Sequence, residues 1–193
     1  MYIEPCCYNK QLTELLDKIE GRVNAAHFFS NSDWDLTQLL PFFAHRTPGG
    51  NVTVCLVYIE KNVLNVIRKL MCSTYVDIKT KETKYTVSQL TLITQGDNRR
   101  DILSYLSGFG ERIVVCEDNI GFRCIACSNG DRNFVVQGSI NQRTSTATQM
   151  YTITTSNYLY NQAMSVLGSK RRVKEIKEWE LAYKRVTEDN NQA

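Results

Sequence analysis

No run of about 18 apolar residues occurs anywhere in this 193-residue chain, so no helix of it is expected to span a membrane. The opening residues, Met1-Tyr2-Ile3-Glu4-Pro5-Cys6-Cys7, offer neither the basic segment nor the apolar core of a secretion signal. The cytoplasm is therefore the expected location. Histidine is scarce, with His27 and His45 the only two, and chemistry that needs an imidazole is confined to those positions. There is no internal duplication, so one structural unit is expected rather than a repeat array. The net charge of +3 is small and does not by itself imply a nucleic-acid partner.

Apolar residues make up 42% of the chain and charged residues 22%, the balance of an ordinary globular protein long enough to bury one core. Cysteine is the exception to the scarcity, with seven residues. An odd count without a secretion signal argues for reduced thiols. Cys55, Cys116, Cys124 and Cys127 fall inside strand-like runs, where a thiol acts as a small hydrophobe. Cys124-x-x-Cys127 has metal-like spacing. On a strand, however, those two side chains point to opposite faces, and no second Cys or His pair follows. No metal site and no cofactor are expected.

The periodicities alternate between helix and strand. Leu12, Leu15, Leu16 and Ile19 give an amphipathic helix over Asn9–Glu20, ended by Gly21. Arg22–Phe29 reads as a buried strand. Ser32 is the expected N-cap of a helix carrying Trp34, Leu36, Leu39, Leu40 and Phe43, which Pro41 should kink or divide. His45 lies near the end of that helix, where a histidine suits the dipole. Asn51–Ile59 is the most β-like run and the expected central strand. Lys61–Met71 is helical, Tyr75–Lys79 and Tyr85–Val87 suggest a surface hairpin, and Leu90–Thr94 is a strand. A helix capped by Asp97 or Asn98 runs to Leu106. Arg99 and Arg100 fall in its first turn and read as solvent-exposed. Arg112–Cys116 is a further strand. Helices alternating with strands, followed by a β-rich run, predict an α/β fold with a mixed sheet flanked by helices.

The most informative stretch is Gly121–Tyr151. Phe122–Cys127 alternates like a strand. Ser128-Asn129-Gly130-Asp131 has hairpin-turn chemistry, because Asn and Gly tolerate positive φ. Asn133–Val136 is a second short strand, which runs into Gly138-Ser139-Ile140-Asn141. A strand ending in Gly-Ser-x-Asn gathers backbone N–H groups, a hydroxyl and an amide at one spot, and such a spot can hold a phosphate oxygen. Tyr151–Thr155 is β-rich again.

In this order of elements, over about residues 22–160, the chain resembles the phospholipase D-like superfamily. The motif shared by identity is Gly138-Ser139-x-Asn141. The resemblance implies a phospholipase D/nuclease-like single repeat in which Gly138, Ser139 and Asn141 hold phosphate. It also implies a homodimer with the two loops near its axis. In that family a His-x-Lys pair on the strand before the hairpin supplies the nucleophile and a phosphate-holding cation. Here those positions fall at Phe122 and Cys124, flanking Arg123. The region after the loop offers Thr148 and Gln149 where related proteins often have an acid. The resemblance therefore carries the scaffold while the lost His and Lys argue against phosphodiesterase activity, and no catalytic residue is assigned. Arg123 alternates to the face opposite Phe122 and Cys124 and reads as a solvated or edge residue. A thiolate at Cys124 would need a base or cation beside it, and the segment supplies no His. His27 could serve only if its strand ended beside the glycine loop.

A last long helix is expected from about Ser156 to Thr187, broken near Gly168. Residues 1–169 are read as the phospholipase D-like domain, and 170–193 as a basic C-terminal helix and tail packed on the domain or on a partner. Between Lys170 and Arg185 seven basic residues face three acidic ones, a net of +4, so the rest of the chain sums to −1. Lys170, Arg171, Arg172, Lys174 and Lys177, with Trp179 and Tyr183 nearby, are candidate nucleic-acid contacts through charge and stacking. The same residues also read as a solvated face with i,i+4 pairs such as Lys174–Glu178. Ile176, Trp179, Tyr183 and Val186 form a short 3-4-3 apolar seam. Three functions stay open: an inactive scaffold that binds nucleic acid or another phosphate-bearing partner, an active nuclease or phosphodiesterase with a rearranged site, and a structural protein-interaction module.

Overall fold

The structure is a computed structural model and describes residues 10–19, 25–30, 34–95, 99–117, 121–140 and 149–168. Among these residues, five α-helices and nine strands follow in chain order: α1 (Lys10–Ile19), β1 (Ala25–Ser30), α2 (Leu36–Ala44), β2 (Gly50–Cys55), α3 (Lys61–Cys72), β3 (Thr74–Val76), β4 (Thr83–Tyr85), β5 (Val87–Thr94), α4 (Arg99–Leu106), β6 (Ile113–Glu117), β7 (Cys124–Ser128), β8 (Asn133–Gly138), β9 (Gln149–Thr154) and α5 (Asn157–Gly168), with a 3-10 turn over Ser107–Arg112 between α4 and β6. Seven strands form one mixed sheet in the order β1-β9-β8-β7-β2-β5-β6. β2, β5 and β6 run parallel, joined through helices. β7, β8, β9 and β1 are antiparallel. The fold is α/β, a mixed sheet flanked by helices, as the alternation of periods predicts. The hairpin β3–β4 stands apart as a two-stranded sheet.

The register explains how the two faces divide. Ala26, Ile153, Val136, Ile125, Val54, Leu92 and Val115 align across the seven strands and join the main core with residues of α1 to α4. In α3, Val63, Leu64, Ile67, Leu70 and Met71 are all buried. Their helical spacing makes one continuous stripe, and each fully buried Leu or Ile contributes about 1.5–3 kcal/mol. The opposite face carries a smaller cluster of Cys55, Ile93, Cys116, Cys124, Ala126 and Val135, closed by Leu167 of α5. Cys124 and Cys127 thus belong to different faces, as the strand period requires. All four strand cysteines are buried free thiols.

Several local expectations are corrected. Asp35, not Ser32, is the N-cap of α2: its carboxylate accepts from Thr37 N (2.8 Å) and Gln38 N (3.2 Å). Pro41 lies inside α2 without dividing it. The continuous burial of Leu39, Leu40, Phe42 and Phe43 outweighs the one backbone hydrogen bond that proline removes. His45 is the C-cap of this helix. Among the described residues β1 forms an edge of the sheet rather than an interior strand, and the side chain of His27 is exposed. β7 begins at Cys124, two residues later than the alternation suggests, so Phe122 precedes the strand. Asp97, Asn98 and the 170–193 segment lie outside the described residues.

Candidate functional site

The expected phosphate loop lies where β8 ends. Gly138 has φ +136°, and a Cβ there would stand 2.1 Å from the carbonyl oxygen of Met150. Only glycine lets β8 approach β9 this closely before the chain turns. The Ser139 amide donates to Met150 O at 2.9 Å, so that N–H closes the turn rather than facing a ligand. The Ser139 side chain remains exposed, while Ile140 is fully buried in the main core. Arg123 is exposed and donates from Nη1 to Ile140 O at 2.8 Å. This contact brings a guanidinium to the loop and ties the start of β7 to the end of β8. Asn141, the fourth residue of the motif, lies outside the described residues, as do Lys170, Arg171, Arg172, Lys174 and Lys177.

The two positions expected to hold the family's His and Lys have other properties. Phe122 is 42% exposed and Cys124 is 1% exposed. Burial, with a smaller effect from Cys55, pushes the Cys124 thiol up to about 12, so it stays protonated at neutral pH. Cys127 is raised in the same direction, again by burial. Neither thiol can act as a resting thiolate nucleophile. Among the described residues, no group of three or more His, Cys, Asp or Glu side chains is placed to hold a metal ion. No helix among them is long and apolar enough to cross a membrane.

A second feature has only a faint trace in the sequence. On the face covered by α5, the register sets His27, Thr152, Gln137 and Cys124 in one row across four adjacent strands. His27 Nδ1 and Thr152 Oγ1 share a hydrogen bond of 2.8 Å. A cleft of about 470 Å³ opens above this row. Cys124, Val135 and Leu167 contribute apolar surface to it, as do Phe122, Leu159 and Val166, and Gln162 of α5 adds an amide. Among the described lining residues there is no Asp, Glu, Lys or Arg. The signal in the sequence is Thr152 and Thr154 alternating with Tyr151 and Ile153, together with Gln137 out of phase with Val136. These mark a polar patch on an otherwise covered sheet face.

The row also shows what His27 can reach. With neighbouring strands roughly 4.8 Å apart, the backbone of β1 lies about 10 Å from that of β8 and about 14 Å from that of β7. His27 therefore shares the cleft with Gln137 but is not beside the Ser139 loop. Ser139 is not among the residues that line the cleft, so the imidazole and the expected phosphate turn belong to separate parts of the surface.

No protein-family model matches the chain, and no curated protein matches it. Among solved structures, the chain is similar to TrmBL2, an archaeal chromatin protein whose structure shows a novel mode of DNA binding, at TM-score 0.46 and 10% identity. The overlap covers 85% of this chain and 60% of that one, so the chain spans less than two thirds of that protein's length.

Proposed function

We propose that this chain is a binding module on a phospholipase D-like scaffold, that it does not cleave phosphodiesters, and that its partner is nucleic acid held through phosphate. The observation that carries the reading is the Arg123 guanidinium, which donates at 2.8 Å to the carbonyl of Ile140, the residue after the exposed Ser139. A cation and a hydroxyl at one glycine turn are the groups that grip a phosphate oxygen. The basic residues Lys170, Arg171, Arg172, Lys174 and Lys177 follow α5 in the sequence and add the sequence-independent attraction on which nucleic-acid binding largely rests. Loss of cleavage follows from the site's chemistry. A protonated Cys124 and an uncharged Phe122 provide neither nucleophile nor cation, and the imidazole of His27 is strands away. Homodimerisation belongs to the same proposal and predicts a particle of twice 22.1 kDa in sedimentation.

The test is a labelled single-stranded oligonucleotide titrated into the wild type and into a variant with Lys170, Arg171, Arg172, Lys174 and Lys177 all changed to Ala. We expect binding by the wild type and at least tenfold weaker binding by the variant. Arg123→Ala is expected to weaken binding several-fold while circular dichroism stays unchanged. Equal binding by all three proteins, or none by the wild type, would defeat the proposal.

A further inference from the structure

We infer that the cleft beneath α5 is a pocket for one unstacked nucleobase; this rests on the nucleic-acid reading above and names the part of the partner that enters. The first argument is charge. With no Asp, Glu, Lys or Arg among the described lining residues, an ionised group entering the cleft would lose water and gain no counter-charge. Apart from the His27 imidazole the lining is uncharged, which suits an uncharged ligand portion here and leaves phosphate to the Ser139–Arg123 turn with its permanent cation.

The second argument is the mixture of surfaces. Gln137 and Gln162 each offer an amide with donors and an acceptor, and Thr152 and His27 add further polar atoms along the same row. A base edge presents donors and acceptors side by side and is read by such groups. Phe122, 42% exposed at the cleft, supplies an aromatic surface on which a base face can stack. A volume of about 470 Å³ falls in the roughly 300–1,000 Å³ range of small-molecule pockets. The third argument is chain connectivity. Phe122 is followed directly by Arg123, and Gln137 by Gly138-Ser139. Along the chain, the groups that would hold the base thus lie within two residues of those that would hold its phosphate, so a base and its own phosphate would meet the protein through the same two chain segments. A base paired inside a duplex cannot present its face and edge in this way, so the pocket selects single strands.

The test uses the full chain in two assays. In the first, adenosine, guanosine, cytidine and uridine, which carry no phosphate, are titrated with NMR detection of the Gln137 and Gln162 side-chain amides. In the second, a labelled single strand is compared with its abasic counterpart for the wild type, Phe122→Ala and Gln137→Ala, the substitutions falling at exposed positions. We expect nucleosides to shift the amide signals, and the abasic strand to bind about tenfold more weakly, the size of one lost stacking contact. Phe122→Ala and Gln137→Ala should erase that tenfold difference. If the single strand binds but the abasic strand binds equally well and neither variant changes it, the base pocket is wrong while phosphate-held binding stands. If nucleosides bind and no oligonucleotide does, the pocket stands and the nucleic-acid reading fails. Absence of nucleoside binding together with indifference to the abasic change overturns the pocket.

Discussion

Gly138 shows how one residue can be fixed by backbone alone. Its φ of +136° and the Met150 carbonyl 2.1 Å from where a Cβ would stand leave no room for any side chain. Gly138→Ala is expected to destabilise the fold by about 2–4 kcal/mol, through φ strain and a forced shift of β9. Urea unfolding would measure it. Ser139→Ala, at an exposed side chain, should change stability by less than about 0.5 kcal/mol and weaken only ligand binding. The cysteines provide a second contrast. Among the described thiols Cys72 is exposed, whereas Cys55, Cys116, Cys124 and Cys127 are buried. Alkylation of the native protein at pH 8, mapped by mass spectrometry, should label Cys72 and leave those four intact. The raised thiol of Cys124 also sets a pH limit. Its ordinary value is 9.0 and its folded value about 12, so above pH 9 the unfolded chain releases a proton that the folded chain keeps. Stability therefore falls as pH climbs from 9 towards 12. Tyr151, raised from 10.0 to about 12 mainly by burial and then by the Asp35 charge, adds to the same alkaline loss. A flat stability profile from pH 9 to 11 would contradict both burials.

At the scale of elements, most of the chain was legible because its periods are strong. The apolar stripe of α3, the runs of β2 and β5, and the Asn129-Gly130 turn all stand close to where pattern and turn chemistry put them. In that turn Asn129 Oδ1 accepts from Asp131 N (3.2 Å) and Arg132 N (3.0 Å), and Gly130 has φ +89°. What was illegible depends on neighbours distant in sequence. The composition of β1 resembles a core strand, yet among the described residues it is an edge, paired on one side with β9, a strand that follows far later in the chain. Asp35 is the cap because the amides of Thr37 and Gln38 and the Thr37 hydroxyl all donate to its carboxylate. Asp35→Ala should cost about 1–2 kcal/mol, read by thermal or urea unfolding. The hairpin β3–β4 carries its own pH dependence. The hydrogen bond from Lys84 (2.7 Å), helped by the amides of Lys79 and Thr80, lowers Asp77 from 3.8 to about 2. Its contribution is present above pH 3.8 and is lost as pH falls through 2. Asp77→Asn should remove that acid transition from the NMR signals of β3 and β4 while leaving the main sheet unchanged.

For the whole molecule, the candidate site was half legible. The glycine turn could be seen as a motif, and the absence of His and Lys at Phe122 and Cys124 could be read directly. The cleft could not, because it is assembled from β1, β7, β8, β9 and α5, and no local spacing brings His27, Gln137 and Gln162 together. Charge is divided in the same way. The seven basic residues between Lys170 and Arg185 outweigh three acids there, while the rest of the chain sums to −1. A partner drawn electrostatically is therefore drawn to one end of the sequence. The most direct test is the salt dependence of oligonucleotide binding, with product analysis on the same samples. Non-cleaving, phosphate-held binding predicts intact oligonucleotide and a log–log slope steeper than about −2, since each phosphate contact on a single strand contributes about −0.7. A slope near zero, or metal-independent cleavage abolished by His27→Ala, would contradict it.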